Sequence, residues 1–99
     1  MAAMMLEQIE DLLNEEAPAI ADVESTLTDG YAQALALEAE RWRLERRLGE
    51  VARSGDSNVG DELKTLGTRL TSADGELAKL RSLLGSLNER ARVVRAARG

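Results

Sequence analysis

The sequence predicts an all-α fold, an antiparallel two-helix coiled-coil hairpin, from three observations. Leu, Ala, Arg and Glu dominate while aromatic residues make up only 2%, a mixture typical of long helices and coiled coils. A cluster of turn-forming residues near the middle separates two amphipathic halves. In the second half the apolar residues recur at alternating steps of four and three residues, at Val59, Leu63, Leu66, Leu70, Ala73, Leu77, Leu80, Leu84, Leu87, Ala91 and Val94.

The second half, residues 59–97, is predicted to form one long helix. Its repeat keeps the heptad phase without a slip, which indicates a narrow seam that packs against another helix. Burying one Leu is worth about 1.5–3 kcal/mol, so the seam outweighs the scattered glycines of this half. The second helix therefore acts as scaffold.

The first half, residues 3–53, contains Pro18, which interrupts a helix because it lacks the backbone N–H and its ring clashes with the preceding turn. Either the first helix ends near Glu16 and restarts with Pro18 in its first turn, or it continues with a kink. The heptad phase is the same on both sides of Pro18. We therefore favour a kinked continuous helix.

Residues 54–58 are predicted to be the turn of the hairpin, since Ser, Gly, Asp and Asn favour turns. Asn58 suits the N-cap of the second helix. Folding about Gly55 places Leu44 opposite Leu66 and Gly30 opposite Leu80. Large residues also face small ones repeatedly, with Leu37 opposite Ala73 and Ala34 opposite Leu77 as well as Gly30 opposite Leu80, as interdigitated packing requires.

Charge is divided along the chain. Residues 1–40 hold ten acidic residues and no Lys or Arg, while all 13 basic residues lie in residues 41–99. An antiparallel hairpin brings the acidic amino-terminal part beside the carboxyl-terminal arginines. Single surface pairs contribute only about 0–1 kcal/mol, but together they favour the antiparallel arrangement.

Two apolar features are not covered by a two-helix hairpin. The first is an amino-terminal overhang, formed by Met4, Met5, Leu6, Ile9 and Leu12. The second is a stripe beside the seam, formed by Tyr31, Leu35 and Trp42, which includes both aromatic residues of the chain. Exposed apolar patches of this kind indicate an interface, so we predict that these eight residues bind a partner.

Three occupants of these surfaces are possible. A second copy would give a dimeric four-helix bundle, with Trp42 within or beside the interface. Alternatively, Pro18 ends the first helix and residues 3–15 fold back over Tyr31 and Leu35, giving a three-helix monomer. A different protein is the third occupant. We favour self-association.

No catalytic or cofactor-binding signature is present. The chain has no His and no Cys, which removes the commonest general base and metal ligands. Glu7, Asp11 and Glu15 share a helix face, but a solvated acidic stripe explains them. We expect a non-enzymatic interaction or scaffolding module, adaptor-like or chaperone-like, with no metal and no cofactor.

The alternative function is nucleic-acid association through a carboxyl-terminal cluster, Arg90, Arg92, Arg95 and Arg98. The acidic pI of about 4.8 makes nucleic acid the less favoured partner. No apolar run approaches the roughly 20 residues that span a bilayer. The first eleven residues lack the basic side chains with which a secretory signal peptide begins. We expect a single cytoplasmic domain over residues 1–99.

Overall fold

The computed structural model describes residues 3–55 and 59–98, and within them the chain is all-helical, with no strand. Helix α1 spans Ala3–Asn14, α2 spans Ile20–Ser54 and α3 spans Val59–Arg98. Their extents are 63 × 18 × 14 Å, so the helices pack side by side into a rod. The predicted all-α fold class is confirmed.

The kinked continuous helix favoured from the sequence is not confirmed, because residues 15–19 separate α1 from α2. Ala19 is extended, with φ −63° and ψ 131°, and its carbonyl accepts the first hydrogen bonds of α2 from the amides of Asp22 and Val23. Pro18 donates no hydrogen bond and disfavours helical geometry at Ala17. The common heptad phase therefore reflects a common core and not a continuous helix.

Helices α2 and α3 run antiparallel, as their ion pairs show. Contacts made later along α2 fall earlier along α3: Glu24 pairs with Arg95 at 3.4 Å, Glu38 with Arg81, Arg41 with Asp74 at 2.6 Å, and Arg47 with Glu62 at 2.9 Å. Two of the four pairs, Glu24–Arg95 and Glu38–Arg81, join the acidic residues 1–40 to the basic part of the chain. The second half of the chain therefore runs antiparallel to α2, as predicted.

The register between α2 and α3 differs from the predicted one. The side chain nearest to Gly30 is Leu84, where the prediction placed Leu80, and a methyl group added to Gly30 would overlap the Cδ2 methyl of Leu84. Gly30 thus allows the two helices to approach closely beside a core leucine that is 1% exposed. The predicted pairing was counted outward from Gly55, more than twenty residues from Gly30. At that distance from the hairpin loop the pairing differs from the prediction by four residues, about one turn of a helix.

Helix α1 folds back onto the amino-terminal end of α2 and the carboxyl-terminal end of α3. Lys79 of α3 pairs with Glu10 at 3.7 Å. Further along α3, Nη2 of Arg90 donates hydrogen bonds of 2.7 Å to the carbonyls of Glu15 and Glu16, which directly follow α1. Since both sequence positions increase together, α1 is parallel to α3. The rod therefore has three helices at one end and two at the other.

The core follows this division. Where three helices meet, side chains are almost fully enclosed, and Ile9, Leu80, Leu87 and Ala91 are all 0% exposed. At the two-helix end a smaller cluster contains Leu44, Val51, Leu66 and Ala73, each 4–7% exposed. All eleven predicted seam positions of α3 are buried or half-buried.

The turn after α2 begins as predicted. Gly55 is left-handed, with φ 69° and ψ 15°, a conformation that favours glycine after the last residue of a helix. Ser54 donates its hydroxyl to the carbonyl of Val51 at 2.8 Å, which satisfies one terminal carbonyl. The predicted N-cap, Asn58, lies outside the described residues.

Candidate interaction surface

The stripe of Tyr31, Leu35 and Trp42 is exposed along α2. Their side chains are 48%, 67% and 60% exposed, respectively. At about 100° per residue, Leu35 and Trp42 lie within roughly 40° of Tyr31 around the helix axis. The three residues therefore form one continuous ridge, and both aromatic residues of the chain lie on it.

Helix α1 does not cover this ridge. Leu12 of α1 and Thr26 line the same surface cleft, and Thr26, which is 3% exposed, points roughly 140° away from Tyr31 at about 100° per residue. The predicted alternative in which residues 3–15 fold over Tyr31 and Leu35 is therefore half right. The segment folds back, but its apolar side enters the groove between α2 and α3 on the opposite face.

Charged groups border the ridge. The guanidinium of Arg46 lies over the Trp42 ring, 4.9 Å from its centroid, a cation–π contact. Arg41 pairs with Glu45 at 3.3 Å. Arg47 lies about 160° from Tyr31 around the helix, away from the ridge, and pairs with Glu50 at 3.8 Å and with Glu62 of α3 at 2.9 Å. Arg41 and Arg47 are thus engaged with carboxylates and Arg46 with the Trp42 ring, as on an ion-paired helix face.

The amino-terminal residues predicted to bind a partner divide by exposure. Met4 is 83% exposed, whereas Ile9 and Leu12 are 0% and 8% exposed. Met5 and Leu6 are half-buried and pack against the same core. A partner could reach Ile9 and Leu12 only after α1 left the groove, so the ridge on α2 is the more accessible surface.

The carboxyl-terminal arginines contact groups within the chain. Arg90 donates to the carbonyls of Glu15 and Glu16, Arg92 pairs with Glu89 at 3.8 Å, and Arg95 pairs with Glu24. The side chain of Arg98 lies outside the described residues. The three described arginines do not converge on one point, because each binds its own neighbour.

An apolar groove beside the α1–α2 connection is a feature that the sequence did not predict. Its volume is about 610 Å³, and Val93 in its wall is 57% exposed. Arg90 forms its rim, and the Nε atom of that residue is buried without a hydrogen-bond partner in the described part of the chain. The groove brings Pro18 close to Val93 and Val94, and no pattern in the sequence predicts that these residues lie together.

Neither a metal centre nor a membrane span emerges from the described residues. No group of three or more acidic side chains among them is arranged to hold a metal ion. No helix in the same part of the chain combines the length and the apolar character needed to cross a bilayer. Glu7, Asp11 and Glu15 are all exposed; Glu7 and Asp11 lie on α1, whereas Glu15 follows its last residue, Asn14.

Comparison with known proteins gives no match: the sequence fits no protein-family model, no curated protein and no solved structure.

Proposed function

We propose that this protein is a non-enzymatic interaction or scaffolding module that binds a protein partner through the ridge Tyr31–Leu35–Trp42. The observation that carries the proposal is the exposure of the three side chains, which is 48–67%, on a single helix face. Scattered exposed apolar residues are normal on a surface. Two aromatics and a leucine in one ridge are not scattered.

The residue types support this function. Trp and Tyr are enriched among the residues that dominate binding energies, because they bury large areas with few rotatable bonds. Arg46 adds a planar cation on the Trp42 ring, and Arg is the third residue type enriched at such positions. The ridge thus combines all three within sixteen residues of α2.

The remainder of the molecule serves as a rigid support. We propose that α2 and α3 form an antiparallel coiled-coil hairpin, to which α1 adds a third helix at one end. The heptad positions of α3 are buried or half-buried throughout, and Gly30 packs against Leu84 as a small residue facing a large one. A helix packed along its length presents the ridge in one conformation, which lowers the entropic cost of binding.

Nucleic-acid association remains the alternative function, and the structure adds no observation in its favour. Phosphate binding requires cationic groups that point outward together. Arg90 and Arg95 are instead directed at backbone carbonyls and at Glu24. Engagement of these arginines within the chain supports a protein partner.

The proposed function is tested by capture from cells that produce the protein, with Leu35→Asp and Trp42→Asp as variants. Ala36→Asp is the matched control, because Ala36 is also exposed on α2 but points about 100° away from Leu35. Proteins captured by the wild type, including differently tagged copies of the chain, are quantified by mass spectrometry. We expect at least a tenfold loss with both ridge variants and no loss with the control.

Helical content by circular dichroism shows whether each variant folds. Equal capture by folded Leu35→Asp and wild-type protein would refute the proposed function. Retention of RNA or DNA by the wild type, lost on Arg92→Ala with Arg95→Ala, would favour the alternative.

A further inference from the structure

The ridge extends into a longer pattern on the outer face of α2. Seven residues follow one another at steps of 4, 3, 4, 4, 3 and 4, and every one is exposed: Glu24, Thr28, Tyr31, Leu35, Ala39, Trp42 and Arg46. The spacing reads the same in both directions from Leu35. An 11-residue repeat has about 3.67 residues per turn, so these residues stay on one face over the entire stretch.

From this spacing we propose that the partner of the ridge is a second copy of the same chain, bound antiparallel with a two-fold axis at Leu35. The inference rests on the proposed function, for which it names the partner. A two-fold interface uses the same patch on both subunits. Because the spacing on this face is symmetric about Leu35, every residue of the pattern in one copy lies opposite a residue of the pattern in the other copy.

Charge complementarity sets the direction. The seven-residue face begins at an acid, Glu24, and ends at a base, Arg46. Glu24 pairs with Arg95 of its own chain at 3.4 Å and stays about half exposed; with the axis at Leu35 it also lies opposite the partner's Arg46, and this contact occurs twice. A parallel pair would instead place Glu24 against Glu24 and Arg46 against Arg46, which is unfavourable.

Size complementarity agrees with the same axis. Trp42 lies opposite the partner's Thr28, and Tyr31 lies opposite the partner's Ala39, so each aromatic ring meets a small residue. Thr28 already donates its hydroxyl to the carbonyl of Glu24 at 3.1 Å. Trp42 can therefore cover it without leaving that hydroxyl unpaired. Leu35, the most exposed of the three ridge residues at 67%, meets its own copy on the axis.

The first experiment is sedimentation of the full chain with exchanged charges. We expect a wild-type dimer at micromolar concentration, and at least a tenfold weaker dimer for Glu24→Arg or for Arg46→Glu alone. An equimolar mixture of these two variants restores the dimer, because both end contacts of the mixed dimer again join an arginine to a glutamate. Asp29→Arg, exposed on α2 but about 160° from Tyr31, leaves dimerisation unchanged.

The second experiment measures direction by electron spin resonance. The chain has no cysteine, so Ala36→Cys and Arg43→Cys each carry one spin label; both positions are exposed on α2 and lie outside the ridge, about 100° and 80° around the helix from Leu35. In the antiparallel dimer, at about 1.5 Å per residue, the two labels are displaced along the axis by roughly 3 Å at position 36 and 24 Å at position 43. Equal short separations at both positions would indicate a parallel dimer and overturn the inference.

A wild-type chain that stays monomeric at 100 µM also overturns the inference, as does a Leu35→Asp variant that still dimerises. The proposed function has a separate outcome. If the chain is monomeric but its captured proteins are lost on Leu35→Asp, the ridge binds a different protein, and only the identity of the partner is wrong.

Discussion

Single residues decide how closely the helices approach and where they end. Gly30 lies where α2 meets Leu84, Gly55 adopts the left-handed conformation after α2, and Ala19 starts α2 in an extended conformation. Arg90 spans from α3 to two carbonyls of the α1–α2 connection. Each of these residues acts through the backbone or through one specific contact, so substitutions at these positions have effects that hydrophobicity alone does not predict.

Substituting Gly30 and Gly75 with Ala tests the close approach at the residue scale. A methyl group at Gly75 meets nothing within 4 Å, so Gly75→Ala stabilises by about 0.5–1 kcal/mol through helix propensity. At Gly30 the same methyl overlaps Leu84, which is held in the core, and overpacking costs about 1–3 kcal/mol. Urea unfolding measures both. Equal stabilisation by the two variants would show that Leu84 moves aside freely.

At the scale of helices, α1 differs from α2 and α3 in what holds it in place. A helix of 12 residues is marginal by itself in water, so α1 depends on its docking. Ile9 and Leu12 enter the core between α2 and α3, and Glu10 pairs with Lys79. The longer helices share a seam along their length and do not require α1 at the two-helix end.

Substituting Ile9 with Ala tests the docking of α1. Ile9 is 0% exposed, and truncating a buried Ile costs about 2–5 kcal/mol. Amide hydrogen exchange should therefore accelerate across Ala3–Asn14, while residues 40–53 and 59–70 keep their protection. Met4→Ala is the control, since an 83% exposed side chain changes stability by no more than about 0.5 kcal/mol. Unchanged exchange in Ile9→Ala would contradict the docked position of α1.

At the scale of the whole molecule, the described residues form a rod and not a globule. Their radius of gyration is 18.0 Å, against about 13 Å expected for a compact domain of this length. Leu35 lies near the middle of α2, so a two-fold axis there superimposes the two rods over most of their length. A dimer built in this way is thicker than the monomer but only slightly longer.

X-ray scattering tests this shape. The Leu35→Asp variant is expected to be monomeric, with a radius of gyration near the 18.0 Å of the fold. If α1 instead continued α2 as one helix of fifty residues, that helix alone would be about 75 Å long, and the maximum dimension would exceed the 63 Å of the rod. A monomer of that greater length would contradict the folded-back position of α1.

The sequence by itself determined the helical class, the seam of α3, the glycine at the end of α2 and the exposure of Tyr31, Leu35 and Trp42. All of these follow from the periodicity of residues that are close in sequence or from the conformational preference of a single residue. Tertiary structure alone decided the direction of α1, the meeting of Gly30 with Leu84 and the groove between Pro18 and Val93. These depend on contacts between residues about fifty to seventy-five positions apart. A heptad phase shows which face of a helix is apolar, but it does not show which partner helix that face meets or at what register.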